Sequence, residues 1–481
     1  ICRAFGYFAV MINQKLEDFK KYIKGKSVAL IGSGISNMSC VDLLLSYGAE
    51  ITVRDKNPDP TYTPDGEGGA DVRVLPILSA KGIKTRFGDD YLDDLYENVI
   101  IKTPAIRCDV PQIAEAVKNG ARLTSESELF CTLCPCRIIA VTGSDGKTTT
   151  TTLIYKMLSA EAEKCGHRVF LGGNIGTPLF PVIESVSEND FAVLELSSFQ
   201  LHTMKFIPYR AVITNISPNH LNWHTDMNEY AESKANIFRF QDENCGLVLN
   251  RSDGYTNAFA ERAKAKVTLF SSKEEPDGDA VWLCGNDIYA RSGGERRKVL
   301  SRDEIRIVGL HNVENYMAAI AATEGLVSDE TVRKIAKEFP GVRHRIEEVC
   351  ERDGVKYYNS SIDTTPSRTI AALNSFDRPP VLICGGSDKN LPLESLVDTL
   401  MKKAKYIVLT GTTGVKLKAL LSEAGCDKFA YEGDFKQAVK LAASRAEKGD
   451  AVLLSPAAAS FDSFRNFERR GDFFCNIVKN L

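Results

Sequence analysis

The chain has 481 residues, 43% hydrophobic and 26% charged, with a formal net charge of -3. That length exceeds what one hydrophobic core fills, and the near-neutral balance excludes a global field for nucleic acid or an anionic membrane surface. Thirteen scattered cysteines, an odd number, make no disulfide framework and point to a reducing cytoplasm.

Residues 1–10 are apolar but lack the basic leader and small-residue cleavage site of a signal peptide. Met11 precedes a polar, helix-like stretch, so the natural start is expected there, with residues 1–10 an upstream extension. No apolar run reaches the length of a bilayer span. The first predicted strand, Ser27–Ile31, runs into Gly32-Ser33-Gly34-Ile35-Ser36-Asn37. This turn has two glycines of the dinucleotide fingerprint, with Asn37 in place of the third, and Asp55 ends the next predicted strand, where an acidic residue can meet a ribose. Alone it fits a nucleotide ligand or a plain structural turn equally, and it does not establish NAD.

Cys131, Cys134 and Cys136 form the tightest thiol cluster. A closed zinc site needs four ligands and no fourth is nearby, so they read as small buried thiols in a linker. Pro135 ends the helical pattern just before the second strand, Arg137–Val141, which feeds the strongest motif, Val141-Thr-Gly-Ser-Asp-Gly-Lys-Thr-Thr-Thr150. Gly143 and Gly146 let the backbone wrap closely, while N–H groups at the helix start form an anion cradle. Lys147 would lie on phosphates and the Thr148 hydroxyl on Mg²⁺. Val141 stands where a strict P-loop has its first glycine, yet the compact form places the same groups. This is a nucleotide site.

Next, the strand Phe191–Glu195 ends in a carboxylate suited to a metal beside phosphates, although a lone example is more simply a surface glutamate. Another strand runs through Ile213 into a loop carrying His220, so Lys147, Glu195 and His220 fall at the carboxyl ends of parallel strands, where ligands gather. Lys234 sits on a predicted helix and reads by composition as solvated, and Gly309–Asn315 reads as a helix start. Residues 271–302, polar and charge-rich, read as a surface excursion. A helical stretch over Asp329 to Glu338 precedes Phe339-Pro340-Gly341, and the third strand-turn unit is Val381–Cys384 followed by Gly385 and Gly386. Three such units, each leading into alternating strands and helices, predict an α/β protein of three parallel domains in series.

Seven motifs in this order resemble the Mur ligase family over nearly the whole chain from about Lys26. They are TGSDGKTTT, Gly172-Gly-Asn-Ile-Gly176, LELSSFQL from Leu194, HNxxN from His311, RHRIE from Arg343, GGSDKN from Gly385 and SPAAASFDSFRNFERRG from Ser455. LELSSFQL and the last motif point to the D-glutamate-adding branch. The resemblance implies a Rossmann-like domain over residues 1–135 for a UDP-linked substrate and a P-loop ATP domain over 136–340. A Rossmann-like amino-acid domain over 341–481 would follow. It implies a cytoplasmic, monomeric, ATP- and Mg²⁺-dependent ligase, with two ions, joining D-glutamate to UDP-N-acetylmuramoyl-L-alanine through an acyl phosphate.

By the same resemblance, Gly143, Ser144, Asp145, Gly146, Lys147, Thr148, Thr149, Asn174, Asn312, Asn315 and Arg345 match ATP contacts. Ile35, Ser36, Asp55, Thr103, Ala105 and Asn174 match the uridine-nucleotide pocket, and Thr364, Lys389, Ser460 and Phe467 the D-glutamate pocket. Thr148, Glu195, His220 and Lys234, the last as a carbamate, match metal ligands, with Lys147, His220, Lys234 and Lys389 central to catalysis. Departures are Asn219 and Asn222, where acidic residues often flank the metal histidine, and Ala105 in place of glycine. Ser360-Ser361-Ile362 lacks a lysine found in one form of the family, for which Asp363 or Arg368 could compensate. Three rival readings are a sister ligase with another amino acid, a non-catalytic nucleotide-gated interaction protein, and an NAD-dependent oxidoreductase. The oxidoreductase must ignore the phosphate loop.

Overall fold

The computed structural model describes residues 13–64, 69–389 and 391–481. The expected start at Met11, the extension before it and Asn390 of the GGSDKN motif lie outside the described residues. Among the described residues no helix is long and apolar enough to cross a membrane. They fall into two compact units, one of residues up to Ser301 with Glu314–Ile335, the other of Arg302–Val313 with Ala336–Leu481.

The first unit holds two main sheets. One is all parallel, in the spatial order Lys84–Phe87, Glu50–Asp55, Ser27–Ile31, Val99–Lys102, Arg122–Thr124. Its central strand is apolar almost throughout because helices cover both faces of a parallel sheet. The second sheet has nine strands. Val169–Gly173, Phe191–Glu195, Arg137–Thr142, Arg210–Ile213, Gly246–Asn250, Lys266–Ser271 and Ala280–Cys284 are parallel neighbours in that order. Asp287–Ser292 and Glu295–Ser301 then add as antiparallel hairpin strands.

Residues 271–302 are therefore a sheet extension, where the sequence reading expected a surface excursion. The strands are short, and the charges of Arg291, Arg296, Arg297 and Lys298 mask an apolar set, Val281, Trp282, Ile288, Ala290, Val299 and Leu300, that is buried. Each large side chain in such a set contributes about 1.5–3 kcal/mol. The thiol cluster does lie in a connection. Cys131 is on the helix Glu126–Leu133, Cys134 caps it, and Cys136 precedes the strand Arg137–Thr142. All three are buried in the apolar core.

The second unit carries a six-stranded sheet in the order Glu347–Arg352, Val355–Asn359, Ala451–Leu454, Val381–Gly385, Tyr406–Thr410, Phe429–Tyr431. Only the first pair is antiparallel. Three α/β sheets in series thus match the predicted class, and the helix Asp329–Glu338 falls where the sequence placed it.

Candidate active site

The strand Arg137–Thr142 ends at the turn 143–146, and the helix Lys147–Ala162 starts at once. Gly143 and Gly146 adopt φ of 151° and 78°, and a Cβ on either would fall inside Thr214 Oγ1 or Asn315 Oδ1 respectively. Only glycine fits both the backbone and the space. The turn is stitched to the loop after the neighbouring strand Arg210–Ile213. Asp145 N donates to Asn215 Oδ1 (2.9 Å), Thr214 Oγ1 donates to Asp145 O (2.6 Å), and Ser144 Oγ donates to Ser217 O (3.0 Å). Thr150 Oγ1, one turn into the helix, donates to Asn315 Oδ1 at 3.3 Å. Thr148 is half-buried and Thr149 buried beside it.

Two lysines converge on this turn. Lys147 Nζ donates to Gly143 O and Ser144 O, both at 2.9 Å, and Lys234 Nζ donates to the same Gly143 O at 2.7 Å. Lys234, on the helix Met227–Ala235, is only 1% exposed, against the solvated reading its composition suggested. Burial first, then the charge of Lys147, pushes its pKa well below the ordinary lysine value, against the pull of Glu195 and Asp145. Tyr230, one helical turn before it, shares a 2.9 Å hydrogen bond between its hydroxyl and Ser144 Oγ. Motif matching passed over Tyr230; its i, i+4 spacing to Lys234 was the available signal.

Glu195 ends the adjacent strand in register with Val141 and is 1% exposed. Its Oε1 accepts from Asn174 Nδ2 at 2.9 Å, while Oε2 is buried with no hydrogen-bond partner. An orphaned buried carboxylate oxygen at a phosphate turn suits a divalent cation. His220 lies exposed in the loop beyond Ser217 with φ 56°, packed against Phe199 at 4.8 Å between ring centroids. Asn219, the departure beside it, accepts from His220 N at 2.9 Å, and Asn222 is exposed. Among the described residues no group of three or more His, Cys, Asp or Glu side chains forms a metal cluster.

In the first sheet, Ser33 donates to Asp55 Oδ2 through N (2.7 Å) and Oγ (2.6 Å), closing the turn beneath the half-buried Ile35 and Ser36. Asn37 replaces the third glycine by donating to Ile31 O and Gly32 O at 2.9 and 2.8 Å. A Cβ on Gly32 would lie 2.8 Å from Thr103 Cγ2, so the turns after two neighbouring strands abut. Ala105, exposed, accepts from Trp223 Nε1 through its carbonyl at 2.9 Å.

In the second unit, Asn312 is buried near the start of the helix Leu310–Thr323 and donates to Val308 O at 2.6 Å. Asn315 belongs to the first unit. Arg345 follows the turn in which its N–H donates to Val342 O. Asp363, in the segment lacking the expected lysine, is buried, accepts from Ser455 Oγ at 2.8 Å, and has its pKa raised by burial. Arg368 donates to Ile362 O at 3.1 Å. Thr364 follows Asp363, its N–H bonded to Ile362 O. Lys389 is exposed just past Gly385 and Gly386, its pKa lowered by partial desolvation and then by the charges of Arg368 and Arg470. Ser460 is buried, and Phe467 opens the helix Phe467–Lys479, its carbonyl accepting from Ser361 Oγ at 2.8 Å.

Arg470, also passed over, is 1% exposed and donates to Ser361 Oγ and to the carbonyls of Ser361, Ala458 and Ala459. It pins the Ser360–Ile362 segment to the motif that begins at Ser455. An arginine beside the glycine of FERRG was the signal.

Two family models match the chain. The Mur ligase middle domain covers residues 141–323, and the Mur ligase, glutamate ligase domain covers 344–458. The UDP-N-acetylmuramoylalanine--D-glutamate ligase of Ruminiclostridium cellulolyticum is 45% identical over 478 residues, 98% of this chain and 100% of the relative. That of Clostridium novyi is 44% identical over 476 residues, with coverage of 98% and 100%. Among solved structures, the UDP-N-acetylmuramate-alanine ligase MurC of Thermotoga maritima is similar with a TM-score of 0.55 at 20% identity, covering 95% of this chain and 99% of that one. MurF from Acinetobacter baumannii has a TM-score of 0.54 at 16% identity, covering 96% and 92%. These two structures speak for the fold alone. With both family models matched in order and relatives aligned from end to end, the chain belongs to the Mur ligase family.

Proposed function

We propose that this chain is the ATP-dependent ligase that adds D-glutamate to UDP-N-acetylmuramoyl-L-alanine in peptidoglycan precursor synthesis. The observation that carries the reading is the meeting of Lys147 and Lys234 on the Gly143 carbonyl, beside the orphaned Glu195 oxygen. A cationic lysine on a glycine turn holds phosphates. Burial that lowers a lysine's pKa favours the neutral amine, the form that CO₂ carbamylates by forming an N–C bond with loss of one proton. The carbamate, Glu195, His220 and Thr148 would then hold Mg²⁺, which neutralises phosphate charge when bound.

An unactivated carboxylate is a poor electrophile. Transfer of the ATP γ-phosphoryl to the alanyl carboxylate gives an acyl phosphate. The D-glutamate amine attacks its carbonyl carbon, and the tetrahedral adduct collapses with loss of phosphate. The protein's part is alignment and charge neutralisation. Gly143–Thr149, Asn174, Asn312, Asn315 and Arg345 hold the nucleotide, with Lys147 on the transferring phosphoryl group. Ile35, Ser36, Asp55, Thr103 and Ala105 hold the UDP moiety. Thr364, Lys389, Ser460 and Phe467 hold D-glutamate, whose two carboxylates suit the positive field of Lys389, Arg368 and Arg470. Asp363 or Arg368 compensates for the missing lysine. The domain limits after residues 135 and 340, a monomeric state and a cytoplasmic location belong to the same reading.

Phosphate release from ATP with UDP-N-acetylmuramoyl-L-alanine, assayed with each candidate amino acid in turn, tests it. Release is expected only with D-glutamate, and Lys147→Ala is expected to lower it by about 10³-fold or more. Release with another amino acid would move the chain to a sister activity. ATP binding without turnover for any acceptor would overturn the enzyme reading.

A further inference from the structure

The loop after the strand Val99–Lys102 carries Cys108, half-buried, with its Sγ 3.7 Å from His202 Nδ1. The other ring nitrogen of His202, Nε2, lies 3.2 Å from Glu229 Oε1. Glu229 is held rigidly in turn. Arg107 donates to both its oxygens (2.9 and 3.2 Å), and Thr225 N donates to Oε2 at 2.7 Å. A thiol, an imidazole and a carboxylate in line, each within hydrogen-bond reach of the next, is the arrangement that generates a nucleophilic thiolate. No step of the ligase reaction uses it.

A second group acts on the same thiol through its charge. Lys102 is 4% exposed, and the described residues give it neither a hydrogen bond nor an ion pair. Its charge acts on Cys108 across the loop. The remaining charged and titratable neighbours are Asp109, which opposes the thiolate, Arg107, paired with both Asp109 and Glu229, Glu128 beside Lys102, and His224 beside His202. His224 is buried and takes a proton only near pH 4, so it stays neutral and adds no competing charge. The His202 hydrogen bond lowers the Cys108 pKa, and the same bond, with Glu229, raises that of His202.

We propose that Cys108 is a thiol-modification site, reactive toward small disulfides, with His202 as positioning base and Glu229 orienting it. The Cys108 thiolate attacks one sulfur of the disulfide, the S–S bond breaks, and a mixed disulfide forms on Sγ. The leaving thiolate takes the proton held by His202. Cys108 is oxidised and the disulfide reduced, so no other reactant is needed, and a second thiol reverses the step.

The test treats the folded protein with 4,4′-dithiodipyridine from pH 5.5 to 8.5 and follows each cysteine by peptide mass, with exposed Cys284 as internal reference. Lowering a thiol pKa by one unit raises its thiolate tenfold below that pKa and costs roughly threefold in nucleophilicity. For each unit by which its pKa is lowered, Cys108 is therefore expected to react about threefold faster than Cys284 at pH 6, with the advantage gone by pH 8.5. His202→Gln should move the Cys108 pH profile upward while leaving Cys284 unchanged, and Cys108→Ser should remove the fast adduct without altering the rest. A Cys108 rate no greater than that of Cys284 at pH 6 overturns the proposal. So does a His202→Gln profile identical to wild type.

Discussion

Two turns of the first unit begin alike, each a buried parallel strand that runs through glycines into a helix. At Gly143–Lys147 the glycines are hemmed in by Thr214 and Asn315, and two lysine side chains fold onto the loop. At Gly32–Asn37 a carboxylate, Asp55, fills the corresponding corner by binding Ser33, and a methyl group on Gly34 would meet nothing within 4 Å. The same topology thus yields one turn on which two lysines converge and one whose corner is filled by the protein's own carboxylate. Side chains entering from neighbouring strands decide the chemistry, and the glycine pattern does not.

The largest contrast is expected from Gly146→Ala. A left-handed residue costs about 1–2 kcal/mol, and the collision with Asn315 adds overpacking, for a total of about 2–5 kcal/mol. Chemical denaturation would register that loss, and phosphate release would fall with it. Asp55→Ala removes a bonded carboxylate from the first turn and is expected to cost about 1–2 kcal/mol. In the same variant KM for the UDP-linked substrate should rise about tenfold with kcat within twofold, because the binding lost is common to ground and transition states. An unchanged KM would mean that Asp55 serves the turn alone.

A smaller, pH-dependent effect belongs to the wall of the phosphate turn. His224 packs on Tyr230 at 5.2 Å between ring centroids and takes a proton only near pH 4, chiefly because it is buried. The unfolded chain protonates it near pH 6.5, so stability is lost as pH falls from about 6.5 toward 4, by up to about 1.4 kcal/mol per pH unit. His224→Asn should flatten the melting temperature over that window and leave it parallel to wild type above pH 7. The smallest effect is expected from Gly34→Ala: its φ of -71° suits any residue, and the entropy gain is offset by the poorer helix N-cap that alanine makes, for a net change within about 0.5 kcal/mol.

The strands Ser27–Ile31, Arg137–Thr142 and Val381–Gly385 were legible because buried parallel strands are uniformly apolar and their turns are marked by glycine. The hairpin strands after Cys284 were hidden by surface arginines among their apolar positions. Lys234 could be placed on a helix but not in the interior, since no local pattern tells a buried lysine from a solvated one. That distinction depends on a strand some ninety residues earlier, whose end presents the Gly143 carbonyl. Cys108 and His202 were equally invisible, each a lone polar residue until the fold sets them side by side.

Glu126 carries a last consequence. It is buried in the helix after the first sheet and accepts the backbone N–H groups of Leu179 and Phe180 at 2.8 and 2.9 Å, from the segment that flanks the second. Cutting the gene between these sheets would leave a carboxylate and two amides stripped of their partners in apolar surroundings. The segments that contribute the first two sheets are therefore exchangeable between relatives only as a matched pair. A chimera that imports the first must bring the stretch around Phe180 with it.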